Sequence, residues 1–161
     1  MLLNLMIASA AIAGTVDYPR VSNPADDPTT QGAAKSQFET AIVKHGATVL
    51  VAYVDTSAAS LGNQKHGISI SRSTDHGKKF SKIISASGGS SLPNTTDGDK
   101  ADPVLLVNKS TGHFFLLCNR FPEGPGFQVF RSTDDGATFT LHGSAVHQSN
   151  AEMDKPHAAI D

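Results

Sequence analysis

From Gln37 onward the chain alternates short apolar runs with turn-forming residues. Phe38 to Val43 is apolar-rich and reads as a short strand. Lys44-His45-Gly46-Ala47 reads as a turn. The run TVLVAYVD, Thr48 to Asp55, is β-branched and apolar and reads as a central strand. After a polar loop, Gly67 to Ser73 alternates Ile68 and Ile70 with Ser69 and Ser71, the period of a half-exposed strand. Asp75-His76-Gly77 turns the chain, and Phe80 to Ile84 reads as an outer strand.

The same order then returns. Asp102 to Asn108 is an apolar strand, Lys109-Ser110-Thr111-Gly112 a turn, and His113 to Arg120 a second strand. Phe127 to Ser132 alternates, with an aromatic on each face. Asp134-Asp135-Gly136 turns, and Phe139 to Leu141 begins an outer strand. A third unit is expected to open near Asp154, with Ala158-Ala159-Ile160 as strand. No amphipathic helix is expected after Gly14. Self-similarity on this scale marks a repeat architecture. Four antiparallel strands per unit is the arithmetic of a β-propeller blade. The expected fold is therefore all-β, with blades at 37–84 and 101–141, the start of a third at 151–161, and no closed ring.

Residues 1–14 and 15–36 differ from the rest. The first segment, MLLNLMIASAAIAG, is apolar but too short to span a bilayer. Ala11-Ile12-Ala13 has the small-x-small form of a signal-peptidase site, yet no Lys or Arg precedes Arg20. It fits a clipped signal peptide, a start placed too far downstream, or an N-terminal strand. Export to the periplasm, cell surface or medium is the expectation. Residues 15–36, with Asn23-Pro24 and Asp27-Pro28, read as an irregular arm.

Composition narrows the function classes. The 161 residues carry a net charge of −2, so no basic footprint for nucleic acid exists. The single cysteine, Cys118, excludes an intrachain disulfide and Cys-rich zinc modules, and reads as a small buried hydrophobe. The seven histidines are dispersed, without the spacing of a metal site. No metal site is assigned. Calcium is the one ion suggested, by the oxygen-rich stretch Asp97-Gly98-Asp99-Lys100-Ala101-Asp102, which lacks EF-hand spacing. Asn94-Thr95-Thr96 and Asn108-Lys109-Ser110 are glycosylation sequons.

The most specific motif is a duplicated turn. Ser73-Thr74-Asp75-His76-Gly77-Lys78-Lys79-Phe80 matches Ser132-Thr133-Asp134-Asp135-Gly136-Ala137-Thr138-Phe139, each preceded by an arginine, Arg72 or Arg131. The Asp carboxylate can accept backbone N–H groups of its own turn. The glycine supplies a positive φ. The phenylalanine is expected to fold back as an apolar plug. Ser73, Asp75, Gly77 and Phe80, with Ser132, Asp134, Gly136 and Phe139, are thus assigned structural roles.

This octet resembles the Asp box of the sialidase-like β-propellers, over roughly Gln37 to Leu141. The resemblance implies a propeller, commonly six-bladed, with Asp boxes on the periphery. It also implies exo-sialidase or other glycoside hydrolase chemistry, which the residues can be tested against. Sialidases resemble one another in clamping a substrate carboxylate with three arginines, the first in a Phe/Tyr-Arg-Ile-Pro motif. The matching segment here is Phe38-Glu39-Thr40-Ala41, which sets a carboxylate where a cation is required. The loop expected to hold the acid/base Asp, Thr56 to His66, has no acidic residue, and Asp55 at its start is poorly placed. Tyr53, inside an apolar strand, is expected to pack in the core. No catalytic residue is assigned.

Glu39, Asp102 and Asp154 are each expected to open the inner strand of a unit, at the end facing the propeller channel. Such carboxylates could hydrogen-bond sugar hydroxyls or hold a cation, or simply pair across units. The expected partner is a carbohydrate. Further blades, or self-association, are needed to close a ring. Three readings stay open: a glycan-related fragment not competent as a sialidase by itself, the N-terminal part of an active sialidase or other glycoside hydrolase, and a structural or protein-binding propeller.

Overall fold

The computed structural model describes residue 21 and residues 37–55, 67–82, 99–121, 126–146 and 155–160. These form two antiparallel sheets of four strands each. The first is β1 (Gln37–His45), β2 (Thr48–Asp55), β3 (Gly67–Ser73) and β4 (Ser81–Lys82); the second is β5 (Asp99–Val107), β6 (Phe114–Phe121), β7 (Gly126–Ser132) and β8 (Thr140–Val146). Each sheet is a simple meander in chain order.

The pairing registers make the sheets equivalent residue by residue. Leu50 pairs with Arg72 and Ala52 with Ile70 in the first sheet; Phe115 pairs with Arg131 and Leu117 with Val129 in the second. β1 slips register between Phe38 and Ala41, and β5 between Ala101 and Val104. Each is a bulge, and Glu39 and Asp102 sit at the same place in theirs. The non-glycine residues of positive φ fall into the same correspondence: Glu39 with Asp102, both at φ 52, and His76 (φ 63) with Asp135 (φ 59).

The core lies between the sheets. Leu50, Ala52 and Val54 of β2 and Ile68 and Ile70 of β3 face Leu105, Phe114, Leu116, Cys118, Phe130 and Phe139. Full burial of a side chain of this size is worth roughly 1.5–3 kcal/mol. Cys118 is buried in this core, as its apolar neighbours in sequence suggest.

Several expectations need adjustment. β3 is not half-exposed: all of it but Arg72 is buried. The second sheet covers one face, and on the other the Ser71 hydroxyl donates to the Val21 carbonyl. The outer strand of the first sheet starts at Ser81 rather than Phe80 and is described as far as Lys82, Ile83 and Ile84 lying outside the described residues; β8 runs from Thr140 to Val146. Asp99 to Asp102 of the calcium-like stretch belongs to β5, while Asp97 and Gly98 lie outside the described residues. Lys155 to Ile160 forms no strand, and Asp154 is outside the described residues. Residues 1–20 and 22–36, where the signal peptide and arm were expected, also lie outside, as does the sequon at Asn94. No helix among the described residues is long and apolar enough to cross a membrane.

Candidate functional site

The duplicated turns are built as their residues suggest. In the first, the Ser73 hydroxyl donates to Asp75 Oδ1 (2.7 Å) and accepts the Gly77 N–H (2.9 Å). Asp75 Oδ1 also accepts the N–H groups of Lys78 (3.0 Å) and Lys79 (2.9 Å). In the second, Ser132 donates to Asp134 Oδ1 (2.7 Å) and accepts the Gly136 N–H (2.9 Å). Thr138 gives Asp134 both its N–H (2.9 Å) and its hydroxyl (2.6 Å). The Ser73 hydroxyl, then the Lys79 N–H, hold the Asp75 carboxyl below its ordinary 3.8. At Asp134 burial pushes the carboxyl up, but the Thr138 and Ser132 donors outweigh it and the net shift is downward. Both carboxylates spend their acceptor capacity on their own turns, which fits a structural role.

The two turns differ in surroundings. Phe139 is buried in the core, whereas Phe80 is half-buried and absent from it. The plug therefore forms only where the turn is wedged between sheets. Gly136 lies against Leu50 of the first sheet, and its neighbour Asp135 takes an N–H of Arg72 (3.1 Å) and the hydroxyl of Thr48. Arg72 Nε also donates to the Asp135 carbonyl (2.9 Å). This clasp between sheets was not foreseen. The paired Asp134-Asp135 of the motif was its one sequence signal.

At the bulges the two sheets meet in a cleft of ≈ 220 Å³ lined by Glu39, Thr40, Asp102, Pro103, Val104, Lys155, Pro156 and His157. The bulge takes the Asp102 N–H out of the β5–β6 ladder, and Glu39 Oε2 accepts it across the sheets (3.1 Å). Asn119 Nδ2 donates to Asp102 Oδ2 (2.8 Å), fixing that carboxylate from β6. Glu39 and Asp102 therefore come together, though inside their strands, at the third residue of β1 and the fourth of β5, rather than at the strand starts. Lys155 and His157, which follow Asp154 in sequence, complete the lining. The cleft offers fixed carboxylate acceptors beside cationic and imidazole groups. It is smaller than the ~300–1,000 Å³ of typical small-molecule sites. Among the described residues no group of three or more His, Cys, Asp or Glu side chains is placed to hold a metal.

Asp55 is not part of this cleft. It is fully buried and accepts the Ser69 hydroxyl (2.8 Å). Tyr53 is also buried, with its hydroxyl 3.2 Å from Ser71 Oγ. Ser71 donates onward to Val21, so the phenol is the donor in this pair. A phenol so committed and enclosed is a packing residue.

No family model and no curated protein matches the chain. Among solved structures its backbone is similar to that of the Hadza microbial sialidase Hz136, with TM-score 0.48 and 19% identity over 65% of this chain and 25% of that one. It is similar to 1,3Gal43A, an exo-beta-1,3-galactanase from Clostridium thermocellum, with TM-score 0.45 and 22% identity over 66% of this chain and 23% of that one. It is similar too to Zg3597, a family 117 glycoside hydrolase from the marine bacterium Zobellia galactanivorans, with TM-score 0.48 and 16% identity over 69% and 39% of the two chains. The chain thus spans about a quarter of the length of the first two and 39% of the third.

Proposed function

We propose that this chain is an exported β-propeller segment of the sialidase-like kind, that its two sheets are successive blades, and that the cleft at Glu39 and Asp102 is the carbohydrate-facing end. One observation carries the reading. Two carboxylates at equivalent bulge positions of successive sheets, each in a left-handed conformation, line the same cleft. Non-glycine residues rarely adopt positive φ, and where they do the site is commonly functional. The duplicated Ser-x-Asp-x-Gly-x-x-Phe turn, at the opposite end of the β2–β3 and β6–β7 pairs from the bulges, supports the blade assignment. The ring and a third blade belong to the same proposal.

The reading assigns sugar binding, not sialic acid hydrolysis, to the chain by itself. Glu39 stands where the sialidase motif carries its first arginine, so an anionic sugar meets like charge there. Neutral hydroxylated sugars find fixed acceptors. A panel of neutral and sialylated oligosaccharides titrated into the labelled chain tests this, alongside a fluorogenic sialoside. Chemical-shift changes at residues 39–40, 102–104 and 155–157 with neutral sugars, and no release from the sialoside, are expected. Sialoside turnover abolished by Glu39→Gln would overturn the reading.

A further inference from the structure

The end of the molecule opposite the cleft concentrates lysine. Three turns meet there. The β1–β2 turn and the turn after Ser73 touch directly, since the His76 N–H donates to the Ala47 carbonyl (2.9 Å). The β5–β6 turn joins them, because a Cβ on Gly112 would lie 3.3 Å from His45 Cε1. Each turn brings lysine: Lys44 near the end of β1, Lys78 and Lys79 in the first duplicated turn, and Lys109 just after β5. All of them are exposed. Register fixes their spacing on the first sheet. Lys44 pairs with Val49 and Val49 with Ser73, so Lys44 lies two strand spacings, about 10 Å, from the start of the turn that holds Lys78 and Lys79. None of these ammonium groups has an ion-pair partner among the described residues. The nearby carboxylates are engaged elsewhere. Asp75 accepts the Ser73 hydroxyl and the N–H groups of Lys78 and Lys79, Asp134 accepts the donors of Ser132 and Thr138, and Asp135 pairs with Arg72. Like charges held on separate turns focus a positive field on whatever approaches. The whole chain has a net charge of −2, so the basicity is local to this end.

We infer that these turns form a binding surface for an anionic polysaccharide, whose carboxylate or sulfate groups are met by Lys44, Lys78, Lys79 and Lys109. The rest of the tips decides between polyanions. They are Gly46, Ala47, Thr74, Ser110 and Thr111, with no exposed phenylalanine, tyrosine or large aliphatic side chain. Such a surface offers no aromatic platform on which bases stack and no apolar wedge to enter a bilayer. It offers charge and hydroxyl groups, which suit a hydrated, charged sugar chain. Each contact is exposed and weak by itself, so binding grows with the length of the polymer and fades with salt. The surface is separate from the cleft at Glu39 and Asp102, where carboxylates oppose an anionic sugar. It follows from the turns alone and stands whether or not the cleft takes sugar.

The test titrates the full chain with dextran sulfate, polygalacturonate and neutral dextran, at low and at high salt. Saturable binding to the two charged polymers, lost at high salt, is expected. Lys44→Gln, Lys78→Gln, Lys79→Gln and Lys109→Gln combined lower that affinity about tenfold, since each exposed pair is modest. The same four positions changed to Arg retain it. The Gln variant keeps the backbone N–H groups that Lys78 and Lys79 give to Asp75, and its urea midpoint checks the fold. A second variant, Lys44→Gln with Lys109→Gln, leaves the duplicated turn untouched and is expected to lose about threefold. Any signal with neutral dextran reports the cleft and ignores both salt and these substitutions, which keeps the two readings separate. No binding to either charged polymer, binding that salt does not weaken, or unchanged affinity in the Gln variants overturns the inference. Duplex DNA and vesicles of phosphatidylglycerol complete the panel, and binding of either as tightly as the polysaccharides overturns the choice of partner.

Discussion

Ser132 is the smallest part whose removal reaches the whole turn. Its hydroxyl is buried, accepts the Gly136 N–H and donates to Asp134. Ser132→Ala leaves that amide without its partner, and we expect a loss of about 1–3 kcal/mol in urea unfolding. The aspartates make the turns sensitive to acid. Their carboxyls lie below the ordinary 3.8 in the folded chain, so the folded state binds fewer protons than the unfolded state as pH falls. Their contribution is full above the ordinary value and is lost as pH drops through the lowered one. Asp134→Asn keeps an acceptor oxygen but no longer titrates. Stability measured from pH 6 to pH 2 is therefore expected to fall less steeply in this variant below about pH 4. An unchanged acid slope would show that other carboxyls carry the dependence. The turn was legible from its residues, because the acceptors and donors are only a few positions apart. Glu39 at positive φ was not, because a bulge depends on pairing with a strand that sequence cannot register.

Between elements, the informative comparison is one position in two settings. Gly77 and Gly136 both have positive φ, 88 and 78. A Cβ on Gly77 meets nothing nearer than 3.9 Å, whereas on Gly136 it lands 2.8 Å from Leu50 Cδ2. Leu50 is wholly buried, so its side chain can yield only by displacing its neighbours in the core. Gly77→Ala should cost only the conformational penalty, about 1–2 kcal/mol. Gly136→Ala adds overpacking of about 1–3 kcal/mol. Equal losses in parallel urea titrations would mean that the wedge between sheets is not tight. Asp135→Ala removes an ion pair with Arg72 worth about 0–1 kcal/mol and fading with added salt, and also the acceptor of the buried Thr48 hydroxyl, a further loss of about 1–3 kcal/mol that salt does not screen. Strand order was readable from alternating apolar runs and turns. The burial of β3 on both faces was not: Ser69 and Ser71 look solvent-facing in sequence, yet their hydroxyls meet Asp55 and the Val21 carbonyl. Likewise nothing local distinguishes Phe80 from Phe139, whose fates are set by what packs above them.

At the scale of the molecule, two equivalent sheets stack so that their bulges share one cleft and their turns lie far from it. The elements that stabilise the turns are thereby separated from the cleft proposed for sugar binding, and changes in the turns are expected to leave the cleft intact. The exception is Glu39, which both lines the cleft and accepts the Asp102 N–H across the sheets. Candidate residues at two of the three expected places were legible because the repeat marks them. Lys155 and His157 were not, since only the folded chain brings that segment back to the bulges. The most direct test is calorimetric titration of the full chain with neutral oligosaccharides, beside the Asp102→Asn variant. Asn keeps an oxygen to accept the Asn119 amide, so folding should survive. The account predicts saturable binding by the parent chain and a loss of about tenfold in affinity in the variant, roughly one charge-assisted hydrogen bond. Binding of equal strength in both proteins, or none to any sugar, would contradict it.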